Sequence, residues 1–172
     1  RKIEKEYHAF IWGQFKEKEG IINEPIGRNK NDFRRRHAGR GIRGESKEAL
    51  TKWEVACEFE DSGEKFSFVR LFPKTGRTHQ LRVHMKYMQR PIVSDRLYAP
   101  TKRTALGFSR VALHARKITF RDQFGQEIVV EAPYPEDFQV AIARYVKILY
   151  SFYLYGTNIL IYPSRHRGTK ET

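Results

Sequence analysis

The chain has 172 residues, 40% hydrophobic and 31% charged, which gives room for one domain with a single core and excludes a disordered or fibrous protein. With 33 Lys and Arg against 20 Asp and Glu, the net charge is +13, which points to a polyanionic partner, nucleic acid ahead of an acidic membrane surface. A single cysteine, Cys57, excludes an intrachain disulfide and a cysteine metal cluster, and fits a reducing compartment: the cytoplasm, an organelle matrix or the nucleus.

The opening run Arg1-Lys2-Ile3-Glu4-Lys5-Glu6 has no apolar stretch of the secretory type, and a first residue other than Met suggests a truncated chain. Residues 7–13 alternate and end in glycine, and residues 20–26 close on Pro25 and Gly27; these are two predicted strands, expected to pair as a hairpin. From 28 to 47 apolar residues are scarce, while Arg28, Lys30, Arg34, Arg35, Arg36, Arg40, Arg43 and Lys47 crowd around Gly39, Gly41 and Gly44, as in a flexible basic loop. Residues 51–60 place Trp53, Val55, Cys57 and Phe59 on one predicted face, and 66–72 alternate likewise after the turn Asp61-Ser62-Gly63-Glu64, so a long antiparallel pair is expected.

After Pro73 the period changes. Leu81, Met85 and Met88 recur at four and three residues, predicting a helix over 78–89 that Pro91 stops. Its start is loaded with Arg77, Thr78, His79 and Gln80, where backbone N–H groups and cations converge on an anion. His79, Arg82 and Lys86 are expected to share the opposite face, available for function. Two strands follow at 112–120 and 127–131, with a turn at Asp122-Gln123-Phe124-Gly125, and a closing helix is predicted over 138–155. The uneven mixture reads as α+β, with the domain over 1–149 and a tail of unassigned role over 150–172. The apolar stretch 148–162 is shorter than the ~20 residues of a membrane span. His79 and His84 are five residues apart, unlike the four-residue pair of a helical metal site, and His114 reads as an ordinary strand residue, so no metal is expected.

One string is far more specific. Thr75-Gly76-Arg77-Thr78-His79-Gln80-Leu81-Arg82-Val83-His84 matches, over ten consecutive positions, the motif Thr-Gly-Arg-Thr-His-Gln-(Leu/Ile)-Arg-x-His, and in this the chain resembles RluA-type RNA pseudouridine synthases. Lys5-Glu6-Tyr7-His8-Ala9, Pro25-Ile26-Gly27-Arg28 and Ala49-Leu50-Thr51-Lys52-Trp53-Glu54-Val55 resemble further segments of that family, in its order. So do Pro91-Ile92-Val93-Ser94-Asp95, where Ser94 replaces the usual glycine, Leu113-His114-Ala115, and Ala132-Pro133-Tyr134-Pro135-Glu136-Asp137.

The resemblance implies the pseudouridine synthase catalytic fold, a mixed, mostly antiparallel sheet with flanking helices. It also implies isomerisation of uridine to pseudouridine in structured RNA (rRNA or tRNA) without cofactor, metal or membrane. Tyr7 would stack on the uracil and assist proton removal at C5, Arg82 would hold the catalytic carboxylate, and Leu113 would line the base pocket. Arg28, Arg34, Arg35, Arg36, Arg40, Arg43, Arg77, His79 and Lys86 would contact the RNA. The family's aspartate lies in a His-Arg-Leu-Asp-x-x-Thr-Ser-Gly segment before the Lys-x-Tyr strand, and no copy occurs in this sequence, so the domain is expected to be incomplete at its N-terminus. Asp95 lies in a context that the family uses as a structural turn, and Asp32, Asp61, Asp122 and Asp137 lie in turn-like contexts. The competing expectations are an inactive RNA-binding remnant and, from charge alone, a basic ribosome-associated protein.

Overall fold

The computed structural model describes residues 3–146. Six strands form one antiparallel sheet in the order β2-β6-β7-β1-β8-β9, where β1 is Glu4–Trp12, β2 Glu19–Asn23, β6 Leu50–Asp61, β7 Glu64–Pro73, β8 Leu113–Arg121 and β9 Glu127–Glu131. A second, three-stranded antiparallel sheet holds β4 (Arg36–Ala38), β3 (Ile26–Asn29) and β5 (Ile42–Lys47) in that order. The helices are α1 (Gln80–Tyr87) and α2 (Glu136–Tyr145). The fold is α+β, as expected, and none of the described helices is long and apolar enough to cross a membrane.

The predicted β1–β2 hairpin does not form. From His8 to Trp12 every residue of β1 is buried, so this strand needs cover on both faces and takes a central place between β7 and β8. Strand β2, mostly solvated, pairs with β6 at the sheet edge. Pro25, which has no N–H to give a ladder, separates β2 from β3, so residues 20–26 belong to two sheets rather than one strand.

The basic segment 28–47 is likewise a sheet and not a flexible loop. Its strands approach so closely that a Cβ at Gly27 would lie 2.2 Å from Ile42 Cγ2, beside a register shift between Gly27 and Arg28. The glycine is required by this contact.

In β6 the single predicted face is split by a bulge between Val55 and Cys57. Trp53 and Val55 stay in register with Leu71 and Val69, whereas Cys57 and Phe59 oppose Phe68 and Phe66 on the other side of the sheet. There Phe59 stacks on Tyr145 of α2 at 4.9 Å. This side is an aromatic cluster in which Phe10 meets Phe68 at 4.8 Å, Phe108 at 5.4 Å and Phe138 at 5.6 Å. Helix α2 begins at Glu136, earlier than the expected 138, with Glu136 and Asp137 in its first turn, where carboxylates complement the helix dipole. It ends at Tyr145, with Val146 extended (φ −95°, ψ 98°), short of the predicted 155; residues 147–172, which include the predicted tail, lie outside the described residues.

Between α1 and β8 the chain runs beside the C-terminal half of β1: Val93 N donates to Phe10 O (2.9 Å), and Ala112 N to Val93 O (3.0 Å). Ser94 stands here with φ 57°, a left-handed conformation that favours glycine, the residue that the motif resemblance leads one to expect at this point. The serine has a compensating use, since Ser94 Oγ donates to Phe108 O at 2.8 Å in a buried setting. Ser94→Ala keeps the strained backbone and orphans that carbonyl, for an expected cost of about 1–3 kcal/mol. Ser94→Gly also loses the bond but relieves the backbone, so its cost should be about 1 kcal/mol lower. Urea denaturation of the two variants checks this, and equal losses would refute the backbone explanation.

Candidate active site

A cleft of about 260 Å³ opens where the ends of β1, β7 and β8 meet the start of α1. Its walls include Lys5, Tyr7, Arg77, His79, Arg82 and Leu113. Strand alternation puts Lys5 and Tyr7 on the same face of β1, and Leu113 on β8 opposes Ala9 two residues further on. Tyr7, Arg82 and Leu113, separated by 75 and 31 positions in the sequence, thus converge on one space. Lys5 could have been found from the same period-two reasoning that placed Tyr7.

The turn between β7 and α1 is built by Gln80. Its buried side chain accepts from Thr75 Oγ1 (2.7 Å) and Arg77 N (3.0 Å), and donates to Leu50 O and Thr51 Oγ1 (both 3.0 Å). Gln80 is therefore a structural organiser of the site, which its place inside the motif string signalled without saying how. The helix starts at Gln80 and not at 78, because His79 adopts a left-handed backbone (φ 56°) as N-cap. His79 consequently does not share a helical face with Arg82 and Lys86. Its ring bonds Tyr98 Oη through Nδ1 at 2.9 Å, and burial, aided by the Arg82 charge, lowers its pKa. Lys86 is exposed on α1 and is absent from the cleft walls, while Arg77 is exposed at the rim with its Nε donating to Glu48 O (2.9 Å).

Arg82 makes the strongest polar contact in the site. Its Nε and Nη2 donate to the two oxygens of Asp95 at 2.7 and 2.6 Å, and its guanidinium lies 4.9 Å from the Tyr98 ring centroid. Asp95, whose side chain is 0% exposed, also accepts from Leu97 N (3.1 Å) and Tyr98 N (3.0 Å). Both of its oxygens are committed, so it is the carboxylate of a buried turn and cannot attack a substrate in this arrangement. The hydrogen bonds to Asp95 raise the Arg82 pKa. Among the described residues, Arg82 Nη1 makes no hydrogen bond and no Asp or Glu lines the cleft.

Of the remaining cations, Arg36 joins this group through its backbone N–H, which donates to Tyr98 Oη at 3.0 Å. Arg34 and Arg35 share Asp32, whereas Arg28, Arg40 and Arg43 are exposed on the small sheet. His84 is fully buried, between Thr51 Oγ1 (2.9 Å) and Glu24 O (3.0 Å). Among the described residues no cluster of three or more His, Cys, Asp or Glu could hold a metal ion.

Behind Tyr7, on the opposite face of β1, His8 bridges Tyr134 Oη and Glu6 Oε1 (2.8 Å to Glu6), and Lys117 pairs with Glu6 Oε2 at 3.1 Å. Between Glu6 and Tyr7 the pairing with β8 shifts register, skipping Arg116. Burial would raise the Glu6 carboxyl, but the bonds from His8 and Lys117 outweigh it and hold it down at about 2, against an ordinary 4.5. A folded value below the unfolded one means that this pairing stabilises fully above pH 4.5 and is lost as pH falls towards 2. Glu6→Gln is thus expected to flatten the acid limb of the stability curve below about pH 4.5 while lowering stability at neutral pH; chemical denaturation across that range measures both.

The sequence profile of a family described as RNA pseudouridylate synthase matches residues 1–87, half of the chain. The chain belongs to this family. It is 36% identical over 138 residues to the uncharacterized RNA pseudouridine synthase YlyB of Bacillus subtilis, covering 80% of this chain and 42% of that protein. It is 36% identical over 127 residues to the dual-specificity RNA pseudouridine synthase RluA of Pasteurella multocida, covering 74% and 55%. The chain spans about half the length of these relatives. Among solved structures, human RNA pseudouridylate synthase domain containing 1 superposes with a TM-score of 0.66 at 29% identity, over 78% of this chain and 56% of that one. Human RNA pseudouridylate synthase domain containing 4 shares the fold, with a TM-score of 0.62 at 22% identity. The pseudouridylate synthase fold is therefore that of this chain, and the cleft stands on its family motif.

Proposed function

We propose that this chain is the greater part of a catalytic domain that isomerises uridine to pseudouridine in structured RNA, rRNA or tRNA. The observation that carries this reading is the convergence of Tyr7, Arg82 and Leu113 on one cleft beside the ten-residue motif. The target base leaves its stack at a cost of a few kcal/mol, offset by stacking on Tyr7 and by apolar contact with Leu113. The N1–C1′ bond breaks, the uracil turns, and C5 bonds to C1′; the C5 proton is lost, assisted by Tyr7, and N1 regains one, so no oxidant or cofactor is needed.

An aspartate must attack the ribose, and Arg82 would hold it through Nη1, the donor not committed to Asp95. That aspartate would come from a His-Arg-Leu-Asp segment upstream of residue 1. The exposed cations Arg28, Arg40, Arg43, Arg77 and Lys86, with Arg34, Arg35, Arg36 and His79, would position the RNA backbone and supply affinity more than sequence choice. A reducing compartment suits a protein with one cysteine.

The test assays pseudouridine formation in rRNA and tRNA by this chain and by a form extended upstream through an aspartate-bearing segment. Turnover by the extended form, with RNA binding alone by this chain, is expected; an extended form that binds these RNAs but leaves every uridine unchanged would refute the catalytic reading.

A further inference from the structure

Phe33 is 86% exposed at the apex of the turn between β3 and β4. This turn is tightly built. Asn29 Oδ1 accepts from the backbone N–H groups of Asn31 (2.8 Å) and Asp32 (3.0 Å), and Arg35 N donates to Asp32 O (3.0 Å). Asp32 Oδ1 then accepts from Arg34 N (3.0 Å) and Nε (3.1 Å), while its Oδ2 meets Arg34 Nη2 (3.0 Å) and Arg35 Nε (3.2 Å). The ring is therefore presented by an ordered turn in which the two following guanidinium groups are held on Asp32.

A solitary exposed aromatic is ordinary on a protein surface. Phe124, 84% exposed at the β8–β9 turn, is such a case, with Asp122 and Glu127 close to it in sequence. The setting of Phe33 differs. Residues 26–47 carry eight Lys and Arg against Asp32 and Glu45, and Asp32 is spent in clamping Arg34 and Arg35. An exposed ring in a segment rich in guanidinium groups suits unpaired bases, which stack on both and bring a phosphate charge at every nucleotide.

Position adds the second half of the argument. Three residues after Phe33, Arg36 N bonds Tyr98 Oη, and Tyr98 bonds His79 of the cleft wall. Three residues of chain span at most roughly 10 Å. Phe33 is thus tethered to the rim of the cleft that would receive the uridine.

We propose that Phe33 is a stacking platform for an unpaired RNA base that flanks the target uridine, an assignment that rests on the RNA reading above. In the full chain, Phe33→Trp makes the contact visible, because Trp12 and Trp53 are each only 3% exposed. Its emission is expected to be quenched by a hairpin RNA with an unpaired loop, and unaffected by a blunt duplex of equal length. Phe33→Ala should weaken the hairpin about tenfold at fixed salt, within the range of one base–aromatic stack. It should leave duplex affinity and the salt slope unchanged, and Phe124→Ala should change none of these. Equal hairpin affinity for Phe33→Ala and the parent, equal losses on hairpin and duplex, or an altered oligomeric state in place of altered affinity would each overturn the stacking site. Absence of any salt-dependent RNA binding by the parent would instead remove the RNA reading itself.

Discussion

Arg82→Ala is expected to cost about 3–5 kcal/mol of folding stability, because it leaves the Asp95 carboxylate buried with its charge unpaired. Asp95 is fully buried, and two of the four hydrogen bonds it accepts come from Arg82. The remaining two are backbone N–H groups, which cannot replace a full positive charge. Against a typical total of about 5–15 kcal/mol, this loss approaches the stability of the domain. Arg82→Ala/Asp95→Asn removes the charge while keeping an acceptor for Leu97 N and Tyr98 N, and should recover more than half of the deficit. Denaturant titrations of the parent, both single variants and the double variant measure the coupling; an Arg82→Ala protein within about 1 kcal/mol of the parent would contradict a buried pair. The double variant also separates stability from chemistry. If Arg82 holds the attacking carboxylate, this folded protein, in its upstream-extended form, should bind RNA and yet make no pseudouridine.

Tyr7→Phe should lower turnover by about 10²–10⁴-fold in the upstream-extended form, the usual worth of a positioned proton-transfer group. The ring, and with it stacking on the base, is retained. The Tyr7 hydroxyl makes no hydrogen bond among the described residues, so the thermal midpoint should hardly move. RNA affinity should stay near that of the parent. Single-turnover kinetics with saturating enzyme isolates the chemical step, and a Tyr7→Phe protein that isomerises uridine at the parent rate would remove the phenol from the mechanism. Tyr7→Ala, which loses the ring as well, should weaken binding in addition.

The two variants differ in how far their basis could be read before folding. Tyr7 was legible twice over, in the Lys-x-Tyr-x-Ala segment and in strand alternation, and Lys5 followed the same period without being recognised. Arg82 was legible as a motif residue, but its partner was not. Asp95 reads as a turn aspartate by context, and it is one; that its carboxylate also receives the Arg82 fork depends on the path of residues 88–112 past β1. No periodicity encodes that path. His79 shows the opposite error, where helical spacing starts the helix two residues too early and a left-handed N-cap sets its true start.

By itself the sequence determined the α+β class, most strands, the family and three residues of the cleft, Tyr7, Arg82 and Leu113. Alternation, apolar period and motif are local properties that survive without knowledge of neighbours. The tertiary structure alone decided that β1 is central and unpaired with β2, since burial on both faces is a property of the whole sheet. It likewise decided that residues 28–47 form a second sheet, because backbone pairing of Arg28 with Arg36 on one side and Arg43 on the other orders a segment whose composition is that of a loop. And it decided which carboxylate Arg82 holds, because a buried charge takes whatever partner packing brings within hydrogen-bond reach.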